Sequence, residues 1–147
     1  MATNRQIIQK AYSYFNAGDI QSYGHLFSVT TKNHGIPVGR DGIIYVVSDI
    51  LHTFPDLKLI PQDIFTDGDW VISRDIFKGT FKNKAKLPHH GGLLMTHEPN
   101  NKAFQVQHIH MFKLENGLIT EHFACRDDIE MYQQLGLMEQ APVFSPQ

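Results

Sequence analysis

The chain has 147 residues, 41% of them hydrophobic and 19% charged, with a formal net charge of −2 and one cysteine, Cys125. That is one ordinary globular domain, 1–147, too short for two and too apolar for a disordered chain. With no clustered basic face, no run of ~20 apolar residues and no second cysteine, the sequence points away from nucleic acid, a membrane span, a disulfide framework and a cysteine-based zinc site.

Arg5 and Lys10 interrupt the N-terminal apolar pattern, which is unlike a secretory signal, so a soluble cytoplasmic protein is expected. Residues 4–16 place Ile7, Ile8, Ala11, Tyr12, Tyr14 and Phe15 at helical spacing behind Thr3 or Asn4 as N-cap. Gly18-Asp19 ends that helix and starts a second, with Ile20, Tyr23, Leu26 and Phe27 as its apolar face. An extended piece over Thr30–His34 breaks at Gly35 and Pro37. A third helix runs from about Arg40 to His52, carries Ile43, Ile44, Val46, Val47, Ile50 and Leu51, and stops at Phe54-Pro55-Asp56.

The period then changes from helical to alternating. Leu57–Phe65 is predicted as a strand, with Pro61 marking an edge or bulge, and Trp70–Phe81 as its partner across Asp67-Gly68. Residues 82–101 read as a loop with a short strand at Leu93–Thr96, and His89-His90-Gly91-Gly92 as its solvated tip or lid. Ala103–Leu114 and Leu118–Arg126 form a closing hairpin, and Asp128–Leu135 a short helix. Asp127 and Glu130 have the spacing of a capping box for that helix, which leaves Asp128 as the freer carboxylate, with Arg126 as its partner. Helices first and a curved antiparallel sheet second give an α+β fold, with the helices covering one sheet face.

The closing hairpin carries three histidines. A three-residue loop at Glu115-Asn116-Gly117 sorts the side chains well, placing His110 opposite His122 and His108 opposite Ala124. One face then holds Val106, His108, His110, Phe112, His122, Ala124 and Arg126. Three readings fit such a wall: hydrogen-bonded core residues, a pocket wall with a histidine moving protons, or a zinc or iron(II) site. Tyr14 and Phe15 stand where they would line the pocket mouth.

Glu121-His122-Phe123, Asp127 and Gln134-Leu135-Gly136 resemble the end of SnoaL-like polyketide cyclases, in the ketosteroid-isomerase-like (nuclear transport factor 2-like) superfamily. Phe15-Asn16-Ala17-Gly18-Asp19, Asn33-His34, Phe54-Pro55-Asp56-Leu57 and Asn116-Gly117-Leu118-Ile119 extend the likeness over nearly the whole chain. The resemblance implies an α+β cone closed by the N-terminal helices, a deep apolar pocket, a homodimer packed through the sheet and no cofactor; of the three readings of the histidines, the metal site is not the one expected. In the cyclases an aspartate two positions after the strand histidine is the acid and base for an intramolecular aldol reaction. Here that position is Ala124, and His110 occupies the place of the histidine on the preceding strand.

Two functions are therefore expected as alternatives. One is cofactor-free acid/base chemistry on a carbonyl-bearing, polyketide-like molecule, with His110 as acid/base and His34, His122 or Tyr14 polarising the carbonyl. The substrate would be held by Tyr14, Phe15, His108, Phe112, Ala124, Arg126 and Asp128. The other is non-catalytic binding of a hydrophobic metabolite, which Ala124 favours.

Overall fold

Helix α1 (Asn4–Ala17) begins on a reciprocal cap. Thr3 Oγ1 accepts from Gln6 N–H, and Gln6 Oε1 accepts from Thr3 N–H. The helix buries Ile8, Ala11, Tyr12 and Phe15 along one stripe and ends at Gly18, whose φ of 72° supplies the left-handed C-cap. This computed structural model describes residues 1–139. After α1 come α2 (Ile20–His25), β1 (Phe27–Asn33), β2 (Ile36–Pro37) and α3 (Gly39–Thr53). Strands β3 (Lys58–Asp67) and β4 (Trp70–Thr80) follow, then α4 (Leu93–Thr96), β5 (Ala103–Glu115), β6 (Leu118–Arg126) and α5 (Asp128–Gln134).

The six strands form one curved, open sheet in the order β2-β1-β6-β5-β4-β3. Its pairings are antiparallel except β1 with β6, which is parallel, so the expectation of a wholly antiparallel sheet is corrected at one seam. No hairpin joins those two strands, and nothing local imposes an antiparallel order. Register shifts in β1, near Pro61 in β3 and in β6 interrupt the ladder; bulges of this kind bend a sheet. Helix α1 packs on β3 and β4, and α3 on β1 and α2, so the helices cover the concave face. Between these layers Ile8, Phe54, Phe81, Leu94, Ile119 and Met131 are fully buried. No helix among the described residues is long and apolar enough to cross a membrane.

Three local expectations are corrected. Phe27 is not on the second helix; it opens β1 and is buried there. Leu93–Thr96 is one helical turn and not a strand. Gly91 and Gly92, at φ of 74° and 85°, fold the chain back immediately before it, so it enters no ladder. At α5, Asp127 Oδ1 does accept from Glu130 N–H, but the Glu130 carboxylate accepts from Gln134 instead of closing the box.

Candidate active site

The site starts from strict alternation in β5. Phe104, Val106, His108, His110, Phe112 and Leu114 point into the core, while Gln105, Gln107 and Ile109 face out. A period of two therefore stacks His108 and His110 on the inner wall.

How His122 joins them differs from the expected turn. The loop has two residues, Asn116 and Gly117, both at positive φ, and Glu115 pairs with Leu118. Left alone, that register would turn His122 outward. A bulge at Thr120 follows, between the pairs Leu114–Ile119 and Lys113–Glu121, and restores the inward orientation. His122 thus lies opposite Phe112, His110 opposite Ala124 and His108 opposite Arg126, two places from the expected pairing but on the expected face.

The three imidazoles form a chain. His122 Nδ1 lies 2.8 Å from Asn33 Oδ1, His110 Nδ1 lies 2.9 Å from His122 Nε2, and His108 Nδ1 lies 3.3 Å from His110 Nε2. The orientation assigned to the Asn33 amide sets the polarity, because its oxygen can only accept. Each ring therefore carries its proton on Nδ1 and offers Nε2 as acceptor. The last acceptor, His108 Nε2, is buried and has no hydrogen-bond partner among the described residues. Phe77 stacks on the His108 ring at 4.2 Å between centroids. Burial, followed by the neighbouring histidines and Arg126, pushes His110 down to about 3 and His122 well below the usual range. His108 is held at about 3 by burial and the nearby His90. All three rings are neutral at neutral pH.

These rings line a cavity of about 480 Å³ whose other walls are largely apolar, including Phe15, Phe27, Val47, Phe77 and Phe112. Phe15, His34, Ala124 and Arg126 also line it. His34 is exposed, in a left-handed turn at φ 51°, with its ring edge-on to His122 and Phe123. Burial and then Arg126 lower its pKa. Tyr14 does not line the cavity: two positions along a helix from Tyr12, it turns aside and carries Lys10 Nζ over its ring. Asp128 is not a wall residue either. It lies beneath the wall, accepting from His90 Nδ1–H at 2.9 Å and Arg126 Nε–H at 3.3 Å, and so positions both. Burial opposes ionisation of Asp128, but His90 and Arg126 outweigh it and its pKa falls.

Several residues escaped sequence reasoning. His89-His90-Gly91-Gly92 is not a solvated tip: His89, His90 and Gly91 line the cavity, and His90 is buried. Behind the histidine chain, Tyr12 and Ser73 both donate to Asp75 Oδ2, at 2.8 and 2.9 Å, and the two hydroxyls also touch each other. Ser73 pairs with His110 and Asp75 with His108 across β4 and β5, a position that alternation from Val71 to Phe77 signals. Burial raises the Asp75 pKa against the pull of those hydrogen bonds and Arg74, and burial and Asp75 raise that of Tyr12.

The ring nitrogens of His108, His110 and His122 meet each other in pairs rather than converging. Among the described residues, no three His, Cys, Asp or Glu side chains are grouped so as to hold a metal ion.

The fold has known counterparts. A family model described as SnoaL-like polyketide cyclase matches residues 5–135. IdmH of Streptomyces antibioticus, named a candidate polyketide cyclase, is 26% identical; the match covers 92% of this chain and 99% of that one, with a TM-score of 0.75. TsrD of Streptomyces laurentii superposes at 0.77 with 23% identity, over 91% of this chain and 95% of that one. AclR of Streptomyces galilaeus, named a candidate hydroxylase, superposes at 0.78 with 16% identity, over 95% and 84%. No curated protein matches the chain. From the family match over almost its whole length, the chain belongs to the SnoaL-like polyketide cyclase family.

Proposed function

We propose that this protein is a cofactor-free acid/base catalyst acting on an apolar, carbonyl-bearing, polyketide-like small molecule. The carrying observation is the polarised imidazole chain that ends on the buried, unpartnered Nε2 of His108, a residue of the cavity lining. His108 Nε2 takes a proton from the carbon beside the substrate carbonyl. Its Nδ1 proton passes to His110 Nε2, and the His110 Nδ1 proton passes to His122 Nε2. The imidazolium then rests on His122, whose remaining Nδ1–H stays on Asn33. The reverse sequence returns a proton to another substrate atom.

In this scheme His108 is the catalytic residue, while His110, His122 and Asn33 position and relay. A base held at about 3 removes only an already acidic proton, such as one between two carbonyls, or one whose enolate charge offsets the imidazolium. Arg126 at the rim is the cation for that enolate oxygen. The test is deuterium uptake from heavy water into ethyl 2-oxocyclohexanecarboxylate, whose exchanging proton lies between two carbonyls. The wild type should accelerate uptake and His108→Gln should not; no acceleration by the wild type rejects the scheme.

A second reading is a non-catalytic binding protein for a hydrophobic metabolite. Ala124 supports it, since it lies opposite His110 where the family resemblance puts a carboxylate. Under that reading His110→Ala and His110→Gln keep full affinity, and no retained ligand is turned over.

The protein is also proposed to be a homodimer through the outer sheet face. Ile109 and Phe65 stand 46% and 62% exposed there, beside the partly buried Trp70, Ile72, Met111 and Phe123. Sedimentation should report a dimer for the wild type and a monomer for Ile109→Glu.

A further inference from the structure

A second unpartnered imidazole nitrogen belongs to a residue that lines the same cavity, and the proton relay does not use it. Asp49, only 7% exposed although it lies on α3 among apolar neighbours, ties down the segment after β4. Its carboxylate accepts from the Lys86 and Leu87 N–H groups at 3.1 and 2.9 Å. Oδ2 also meets His89 Nε2 at 2.9 Å. A carboxylate with such partners can only accept, so Nε2 carries the His89 proton and Nδ1 is a bare lone pair. The His89 side chain is 93% buried (7% exposed), its ring lines the cavity, and Nδ1 has no partner among the described residues.

Burial, then His90, lowers His89 to about 4 against the opposing pull of Asp49, so the ring is neutral and has only one proton to give. A buried acceptor left without a donor is costly, and three hydrogen bonds on Asp49 keep this one in place. Nothing in the acid/base scheme accounts for such anchoring.

We propose that His89 is a specificity-determining residue whose Nδ1 accepts a hydrogen bond from a hydroxyl of the bound molecule, so that the ligand is a phenolic or enolic ring compound and not a bare hydrocarbon or ketone. This rests on the cavity being the ligand site, as proposed above. His108 Nε2 is kept for the reacting carbon–hydrogen bond, so the hydroxyl that His89 Nδ1 accepts from is a second group of the same ligand. Arg126 at the rim remains free to meet a carbonyl or enolate oxygen of the same ligand.

The probes are β-naphthol and its methyl ether, which share an apolar body and differ in the hydroxyl donor. Fluorescence titration of the wild type should favour β-naphthol. His89→Phe should lose about tenfold of that preference, the worth of one hydrogen bond to a buried acceptor, read as the ratio of the two affinities so that a change in cavity shape common to both probes cancels. Isotope-edited imidazole NMR of the wild type needs no substitution: β-naphthol should shift the His89 Nδ1 signal upfield, and the ether should leave it in place. A preference that survives His89→Phe, or a His89 Nδ1 signal that β-naphthol does not move, overturns the inference while leaving the cavity reading intact. If neither probe binds the wild type, both fall together.

Discussion

His122 donates its Nδ1–H to Asn33 Oδ1 across the parallel β1–β6 seam, at 2.8 Å, and that single bond sets the direction of a three-ring chain. The seam is reinforced by the backbone, where His34 N–H donates to the His122 carbonyl at 2.9 Å. Replacing Asn33 with Ala leaves a buried N–H without an acceptor and should cost ~1–3 kcal/mol in denaturant unfolding. Asn33→Asp should instead raise the His122 pKa by placing a negative charge beside the ring. An NMR titration of the imidazole signals would register that rise.

Buried neutral histidines also set the acid limit of the fold. His89 is held at about 4 and His108 and His110 at about 3, against an ordinary value of 6.5. The folded state therefore binds fewer protons than the unfolded one between those values. Their stabilising contribution is full above about 6.5 and is lost as pH falls toward 3–4. Each such group steepens the loss by about 1.4 kcal/mol per pH unit in that window. Urea midpoints from neutral pH downward should show the fall, with His89→Gln reducing its slope by one proton.

Asp75 works in the opposite direction. Its carboxyl is fully buried and its pKa is raised, so its contribution is present at low pH and declines as pH rises through the folded value. Asp75→Asn should keep an acceptor for Tyr12 and Ser73 and remove that decline. Tyr12→Phe should destabilise by ~1–3 kcal/mol, because it takes a donor from a buried carboxyl. Comparing unfolding midpoints at mildly acidic and neutral pH separates the two.

The floor under the cavity depends on a close approach of α2 and α3. A Cβ on Gly24 would stand 2.3 Å from Ile44 Cγ1 and 2.6 Å from Cδ1, so Gly24→Ala must displace the Ile44 side chain or α3 with it. Val47 and Ile50 on that helix line the cavity. The substitution should cost ~1–3 kcal/mol and weaken binding of β-naphthol as well, read by calorimetric unfolding and by fluorescence.

Much of this was legible in residue order, because alternation in β5 and helical spacing in α1 and α3 are direct marks of burial. His108, His110 and Phe112 were placed on one wall by period alone. The face of His122 was right, but its register was not, since the Thr120 bulge offsets a shorter turn and leaves little mark in composition. Tyr12 and Tyr14 both fit a helical stripe, and only tertiary packing decides which enters the core. Asp49 and Asp75 interrupt apolar patterns, and a lone carboxylate in such a run says nothing of the amides or hydroxyls that the fold brings to it.

Isotope-edited NMR of the imidazole nitrogens at neutral pH reads the polarity of the histidine chain. The rings of His108, His110 and His122 should be neutral, each protonated on Nδ1, with His108 Nε2 a bare acceptor that shifts when a ketonic probe fills the cavity. A proton on His108 Nε2 in the free protein, or an imidazolium among the three, would contradict the relay.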